Sequence, residues 1–462
     1  MYILPTIWTI SLTILSVCDI HETSAKDDPR CPSVCKCYPW PPRVHPAKMA
    51  ANCSGRALKA LPAHFQRHFA SLDASFNDIE ELSKDFFGDA KMVLSKINLS
   101  NNSIHTIDSR AFSMLPDLWI MNLTGNKIRH LHQDTFKVNT KLWYLILRGN
   151  TINFNQSTFL NAPQIGKLDL SYNNLHELGD NTFNEMPNIV YLRLHNNQFK
   201  KLQSSWFRPL RKLERLFLEH NQLTVLDVNT FIHSPKLFEL SLSWNKLLLP
   251  YHTPFLRLPN LEYLHLSGCG FGNIPSHIFE FTPRVRMLWL SSNRLSTLPV
   301  DIFNYLESLI FLDACDNNLL CSCELKEVWD LCRYRHIAAD VSCNVYLLEG
   351  TGEGEGEGEA QNQTATAAGA GGCFGRWDVL EEMVCNATDR PSLPAPSKDT
   401  SVEQLALYVS IGVVLLLSLC IVGSVTLYCR KYKSGWTSTV RGAHNLTYPD
   451  MMPLNIDREE AT

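Results

Sequence analysis

One self-similarity constrains this chain more than anything else in it. The pattern L-x-x-L-x-L-x-x-N-x-L recurs with its Asn at Asn77, Asn102, Asn126, Asn150, Asn173, Asn197, Asn221 and Asn245, then with Cys269 in the slot, then at Asn293 and Asn317. The spacing is 24 residues with two one-residue adjustments. A full copy reads Leu213, Leu216, Leu218, Asn221, Leu223, and a degenerate one Phe69, Leu72, Ala74, Asn77, Ile79. A second column recurs in phase: Phe87, Phe112, Phe136, Phe159, Phe183, Phe207, Phe231, Phe255, Phe279 and Phe303. Two in-phase columns over eleven copies do not arise by chance, and such a period means a solenoid.

The spacing sets the local structure. In L-x-L the two leucines alternate with outward residues, which is the period of a strand. Each coil makes one short strand, and neighbouring coils pair into a parallel sheet about 4.8 Å apart. One coil cannot bury its leucines alone, so they stack on the next. Asn suits the turn after the strand, where its amide satisfies buried backbone groups. The Phe column fills the opposite, convex side. The expected fold class is an α/β solenoid with a parallel sheet on its concave face.

A solenoid exposes an apolar cross-section at each end and needs caps. Before the first repeat stand Cys31-Pro-Ser-Val-Cys35-Lys-Cys37 and Cys53, with the apolar Leu58 and Leu61. After the last come Cys321-Ser-Cys323, a helical-looking stretch from Leu325 to Cys332, then Cys343 and Cys385. Repeat and caps together resemble the extracellular leucine-rich-repeat family with cysteine-rich N- and C-terminal caps, as in insect Capricious- and Tartan-type receptors and in Slit repeat domains. The resemblance covers about residues 31 to 385. It implies a leucine-rich-repeat horseshoe, two bridges among Cys31, Cys35, Cys37 and Cys53, and the pairs Cys321–Cys343 and Cys323–Cys385. Two departures stand out. A Gly/Glu/Ala-rich insertion at 350–372 interrupts the second cap, and its composition cannot bury a core. Cys315, Cys332 and Cys373 are extra. A Cys332–Cys373 bridge would tie off the inserted loop. Cys315 is then unpaired unless Cys269 reaches it from two coils away, a gap of about 10 Å.

The ends of the chain give the topology. Residues 1–25 read as a signal peptide, an apolar run with cleavage after Cys18 or after Ser24-Ala25. Residues 405–428 carry no charge and are long enough to span a bilayer, and Arg430, Lys431 and Lys433 follow. The expected layout is 26–68 as N-terminal cap, 69–319 as eleven repeats, 320–388 as C-terminal cap, 389–404 as stalk, 405–428 as transmembrane helix and 429–462 as cytoplasmic tail. That is a single-pass type I protein of the plasma membrane with its N-terminus outside. Sequons at Asn52, Asn98, Asn101, Asn122, Asn155, Asn362 and Asn386 fall in the outside part and are the expected glycosylation sites. The formal net charge is −4, without the basic excess of a nucleic-acid binder.

Residues between the patterned leucines point out of the concave sheet. The first outward column runs Ser71, Lys96, Ile120, Tyr144, Lys167, Tyr191, Arg215, Glu239, Tyr263, Met287, Phe311. The second runs Asp73, Asn98, Asn122, Ile146, Asp169, Arg193, Phe217, Ser241, His265, Trp289, Asp313, and in the third Arg148, His195 and Glu219 stand out among Ser and Thr. Glycans at Asn98 and Asn122 would cover the N-terminal part of this face. From the fourth repeat on, it is free of sequons and rich in types that anchor protein interfaces. Tyr144, Arg148, Tyr191, Arg193, Phe217, Tyr263 and Trp289 are the expected ligand-binding residues. The convex or lateral face, or a homodimer formed through the sheet, are the alternatives.

Catalytic patterns are missing. His176-Glu-Leu-Gly-Asp180 opens like a zinc-protease motif, but Asp180 stands where the second His is needed. His130 and His132 sit on a repeat loop. No P-loop occurs, no cofactor or metal is expected, and the chain is not expected to be an enzyme. In the tail, Tyr448-Pro-Asp-Met451 has the form read by endocytic adaptors and by certain SH2 domains. Cys429 lies where palmitoylation occurs. The expected function is a cell-surface recognition or adhesion receptor for an extracellular or cell-surface protein. A co-receptor or ligand-sequestering regulator is the alternative.

Overall fold

A computed structural model describes residues 31–39, 48–62, 69–154, 158–343 and Cys385. Residue contacts divide the chain into units 1–387 and 388–462, and the second lies wholly outside the described residues. So do the signal segment, the 350–372 insertion, the 405–428 run and the tail. Among the described residues no helix is long and apolar enough to cross a membrane.

Fourteen strands form one sheet. It starts with β1 (Lys36–Pro39) antiparallel to β2 (Met49–Asn52) and continues in parallel with β3 (Phe69–Asp73). After a small strand β4 (Glu81–Leu82), β5 (Lys96–Asn98) pairs with β3; β4 itself pairs with β6 (Thr106–Ile107) to one side. The main sheet then adds β7 (Ile120–Asn122), β8 (Tyr144–Ile146), β9 (Lys167–Asp169) and β10 (Tyr191–Arg193). A one-turn helix α1 (Ser204–Phe207) precedes β11 (Arg215–Phe217), β12 (Glu239–Ser241), β13 (Tyr263–His265), β14 (Met287–Trp289) and β15 (Phe311–Ala314). Helix α2 (Cys323–Tyr334) and β16 (Ala338–Val341) close the far end. The register is in phase, with Leu192 beside Leu168 and Leu216 in the neighbouring strands. A regular 24-residue period aligns like with like, so every core column and every outward column stays in line.

The patterned leucines and the Phe column make one continuous core. Leu168, Leu192, Leu216, Leu240, Leu264 and Leu288 are fully buried, as are Phe112, Phe136, Phe183, Phe207 and Phe303. Full burial of one such side chain contributes about 1.5–3 kcal/mol. Rings in the Phe column touch from coil to coil, with Phe112 and Phe136 stacked at 5.0 Å and Phe207 and Phe231 at 5.1 Å.

The Asn column holds the turns. Asn221 Nδ2 donates to the carbonyls of Leu194, Leu218 and Glu219 at 3.1, 3.0 and 3.3 Å, and its Oδ1 accepts from the N–H of Phe199 at 3.1 Å. Each Asn thus serves its own coil and the one before. Cys269 does only half of this. Its thiol donates to the carbonyls of Leu242 and Ser267 at 3.5 and 3.7 Å, and sulfur is a weak acceptor in place of the Asn oxygen. Burial pushes that thiol up to about 12, so it stays protonated and inert.

The residue before each ladder position turns left-handed. Phe76, Asn101, Tyr172, Asn196, His220, Trp244, Ser292 and Asp316 all have φ between 51° and 58°, and Gly125, Gly149 and Gly268 have φ of 65° to 67°. A bulky residue in that region is uncommon.

Both ends are stapled. Cys31 joins Cys37, and Cys35 joins Cys53. Cys321 joins Cys343, and Cys323 joins Cys385. Ser322 caps α2 by accepting from the N–H of Leu325 at 3.3 Å, and the helix buries Leu325, Val328, Leu331 and Cys332 against the last coil. Two cysteine expectations need correction. Cys332 is free, so no Cys332–Cys373 bridge forms. The reason is its place on the inner face of α2, where it is 1% exposed and acts as a small apolar core residue. Cys315, expected to be unpaired, is disulfide-bonded, with its partner outside the described residues. Cys269 is also free and does not reach it.

Candidate functional site

The strand face carries a continuous train of rings and charges. Every one of Tyr144, Arg148, Tyr191, Arg193, Phe217, Tyr263 and Trp289 sits on it and is half-buried. They are drawn together by the register. Tyr144, Lys167, Tyr191 and Arg215 stand side by side in the first column, and Ile146, Asp169, Arg193 and Phe217 in the second. Coils about 4.8 Å apart bring large side chains into contact.

Three groupings result. In the first, Lys167 Nζ lies between the Tyr144 and Tyr191 rings, at 5.8 and 5.3 Å. The Arg193 guanidinium lies between Tyr191 at 5.1 Å and Phe217 at 6.0 Å, with those rings 5.1 Å apart. Arg193 also donates through Nε to Tyr191 Oη at 2.7 Å and faces Asp169 at 3.6 Å. In the second, Arg215 faces Glu239 at 3.3 Å and covers the Phe238 ring at 5.2 Å, while Phe238 meets Tyr263 edge-on. In the third, His265 stacks on Trp289 at 3.8 Å, and Trp289 contacts Phe311 at 5.7 Å. Arg148 lies over the Tyr172 ring at 4.6 Å. These contacts fix the rings before any partner arrives, which lowers the ordering cost of binding.

Titration is displaced at three points on the face. Burial lowers His195 to about 4, against the pull of Asp169, with Arg193, Arg148 and His220 adding to the drop. Burial alone lowers His265 to about 4. Burial raises Glu219 to about 7, although its own backbone N–H, Ser241 and Arg193 favour the ionised form. Both imidazoles are therefore neutral near pH 7, while Glu219 is divided between its two states.

The left-handed position adds residues that hydrophobic periodicity did not single out. Tyr172 is 43% exposed and Trp244 50% exposed on the edge of the strand face. Trp244 stacks on His220 with planes 3° apart and centroids 5.6 Å apart, and it rests over Gly268, where a Cβ would lie 2.5 Å from its ring. The readable signal was the slot just before the ladder Asn: Phe76, Tyr172 and Trp244 are large rings where small or turn-forming residues are the cheaper choice.

Four sequon residues fall within the described part. Asn101 is exposed, and Asn52, Asn98 and Asn122 are half-buried. Asn52 and Asn122 accept from the N–H of Ser54 and Thr124 through Oδ1 at 3.0 and 2.9 Å, while Asn98 Nδ2 donates to Asp73 at 3.2 Å. Asn155, Asn362, Asn386, Tyr448 and Met451 lie outside the described residues. Among the described residues no group of three or more His, Cys, Asp or Glu could hold a metal ion.

The family model for the leucine rich repeat matches residues 67–128, 92–152, 153–199, 187–247 and 259–319, together more than half of the chain. The chain belongs to the leucine-rich-repeat family. Its fold is similar to a chain of the octameric complex of Latrophilin 3, Unc5D and FLRT2, with a TM-score of 0.52 at 23% identity over 68% of this chain and 92% of that one. The APL1 leucine-rich repeat domain gives 0.46 at 21% identity, over 59% of this chain and 68% of that one. The Drosophila Toll–Spatzle complex gives 0.42 at 19%, over 64% and 52%. A search of curated proteins finds no match.

Proposed function

We propose that this leucine-rich-repeat chain is a cell-surface recognition or adhesion receptor that binds a protein ligand on the strand face of repeats four to ten. The observation that carries the reading is the train of braced rings and cations from Tyr144 to Phe311 on one rigid parallel sheet. Rings and arginines concentrated at one patch are the composition of interface anchors. A large aromatic surface facing water needs such a reason. The fold is shared with a chain that assembles with Latrophilin 3 and Unc5D, which accords with a protein partner.

The cell-surface part of the reading rests on sequence. Residues 1–25 act as signal peptide, 26–68 and 320–388 as caps, 389–404 as stalk, 405–428 as membrane anchor and 429–462 as a cytoplasmic tail open to an endocytic adaptor or an SH2 protein at Tyr448 and Met451. Stapled caps fit an oxidising compartment. The seven outside sequons, Asn52 to Asn386, fit the same route.

The test uses the full chain displayed on cells and probed with a panel of purified extracellular proteins. A binding protein should be lost from Tyr191→Ser, Phe217→Ser, Trp289→Ser combined, by at least a hundredfold, while antibody staining at the surface is unchanged. A probe that binds this variant as it binds the unmodified chain places the site elsewhere. Aggregation of expressing cells would mark adhesion. Unaltered output on deleting 434–462 would mark a co-receptor or sequestering role.

A further inference from the structure

Resting on the reading of the strand face as binding surface, we infer that Glu219 anchors a cationic side chain of the protein partner, arginine in preference to lysine. Glu219 follows β11 in repeat seven, in the third outward column. Its Oε2 is shut off from water and has no hydrogen-bond partner among the described residues. A carboxylate oxygen that loses its hydration and gains no donor is costly to keep. The residue as a whole is half-buried, so part of it meets solvent although Oε2 does not.

Asp169, two coils away on the same face, shows what a served carboxylate looks like here. Its Oδ1 accepts from the Ser171 N–H and hydroxyl at 2.9 and 2.6 Å, and its Oδ2 faces Arg193 at 3.6 Å. Glu219 is served less fully: its own backbone N–H and Ser241 donate to it, and Oε2 is left without a donor. The fixed cations of this face have other partners. Arg193 is held by Tyr191 and Asp169, Arg215 by Glu239 and Phe238, Lys167 by two tyrosines and Arg148 by Tyr172. The other titratable groups along this stretch of the face are His195 from repeat six, His220 beside Glu219, Glu239 from repeat eight and His265 from repeat nine. His265 itself faces Glu239 at 4.0 Å. Repeat seven therefore holds an acidic group attracted by Arg193, a cation already held by Asp169.

The rim favours a planar cation. His220 is the next residue and is exposed, and it lies parallel to the exposed Trp244 of the following coil. A guanidinium can lie against such rings and still direct N–H donors at a carboxylate. An ammonium meets the charge but not the flat surface.

The experiment needs no identified partner. The full chain is titrated by calorimetry with the capped tripeptides acetyl-Gly-Arg-Gly-amide, its lysine form and its uncharged citrulline form, at pH 6 and pH 8. The arginine peptide should bind at pH 8 with a Kd on the order of 1 mM. Because Glu219 titrates at about 7, moving from pH 6 to pH 8 takes it from mostly protonated to mostly ionised, and affinity should rise about tenfold. His195 and His265, at about 4, stay neutral throughout. The lysine peptide should bind more weakly and the citrulline peptide should not bind. Glu219→Gln should abolish both the binding and its pH slope.

No saturation by the arginine peptide at tenfold that concentration overturns the anchor, as does equal binding of citrulline, or a Glu219→Gln chain that keeps the slope. The citrulline comparison uses the unmodified chain, so it decides even where the variant folds poorly. Failure with the peptides sinks the anchor alone. Failure of the ring substitutions to affect a bound protein sinks the strand-face reading.

Discussion

The Asn ladder and the outward strand columns run through the same coils and could hardly differ more. In the ladder, Asn102, Asn126, Asn150, Asn197, Asn221 and Asn293 make the same set of bonds, each serving its own coil and the one before. One strand away, Tyr191, Arg215, Glu239 and Tyr263 succeed each other in a single column. Uniformity marks the column that supports the coil, and variety marks the column left free to recognise something. The two should therefore respond differently to substitution, the first in stability and the second in binding.

The strongest challenge to that contrast is to cut the ladder in its middle. Asn221→Leu strands three carbonyls and the Phe199 N–H inside the core. At about 1–3 kcal/mol for each orphaned group, the thermal midpoint should collapse or the chain should fail to fold, read by circular dichroism. A loss below about 1 kcal/mol would show that the ladder is not what holds the turns. Next, Trp244→Ser should cost binding at the strand-face edge while raising or sparing stability, since it frees a bulky ring from φ of 58°. A large fall in midpoint with intact binding would move Trp244 to the supporting side. Then, Cys269→Asn should restore the missing acceptor and gain about 1 kcal/mol, read by chemical denaturation. A loss would mean that the turn between Gly268 and Gly270 has adapted to sulfur.

The smallest effect is a pH difference. Glu219 has its folded value raised to about 7 from 4.5, so the protonated form favours folding. That contribution is fully present below pH 4.5 and is lost as pH rises through 7. His195 and His265 work in the opposite sense, with folded values lowered to about 4 from 6.5, so their contribution is present above 6.5 and lost as pH falls towards 4. Glu219→Gln should raise the midpoint at pH 8 and leave it unchanged at pH 4. Equal shifts at both pH values would remove the titration of Glu219 from the account.

What could be read from sequence was whatever repeats. The Asn column, the Phe column and the outward positions of Tyr191 or Trp289 follow from counting in steps of 24. The contacts between them do not, because whether Arg193 reaches Tyr191 or Asp169 depends on rotamers within a register that sequence gives only coil by coil. The ring edge at Tyr172 and Trp244 escaped because its signal is a backbone angle, invisible to hydrophobic periodicity. The state of the extra cysteines Cys315 and Cys332 escaped for a related reason, whereas the cap bridges were as the resemblance implied. Cys332 belongs to the inner face of α2 by helical phase, and phase at a single cysteine is not legible from spacing between clusters.

The bond between Cys323 and Cys385 spans a sequence separation of 62. It joins the start of α2 to a point far down the chain, so a pull applied beyond Cys385 does not travel through the intervening residues. It enters the solenoid directly at the helix that plugs its last coil. A protease cut anywhere between Cys343 and Cys385 would therefore leave the repeats tethered to whatever follows, and the same nick would become release only under reducing conditions.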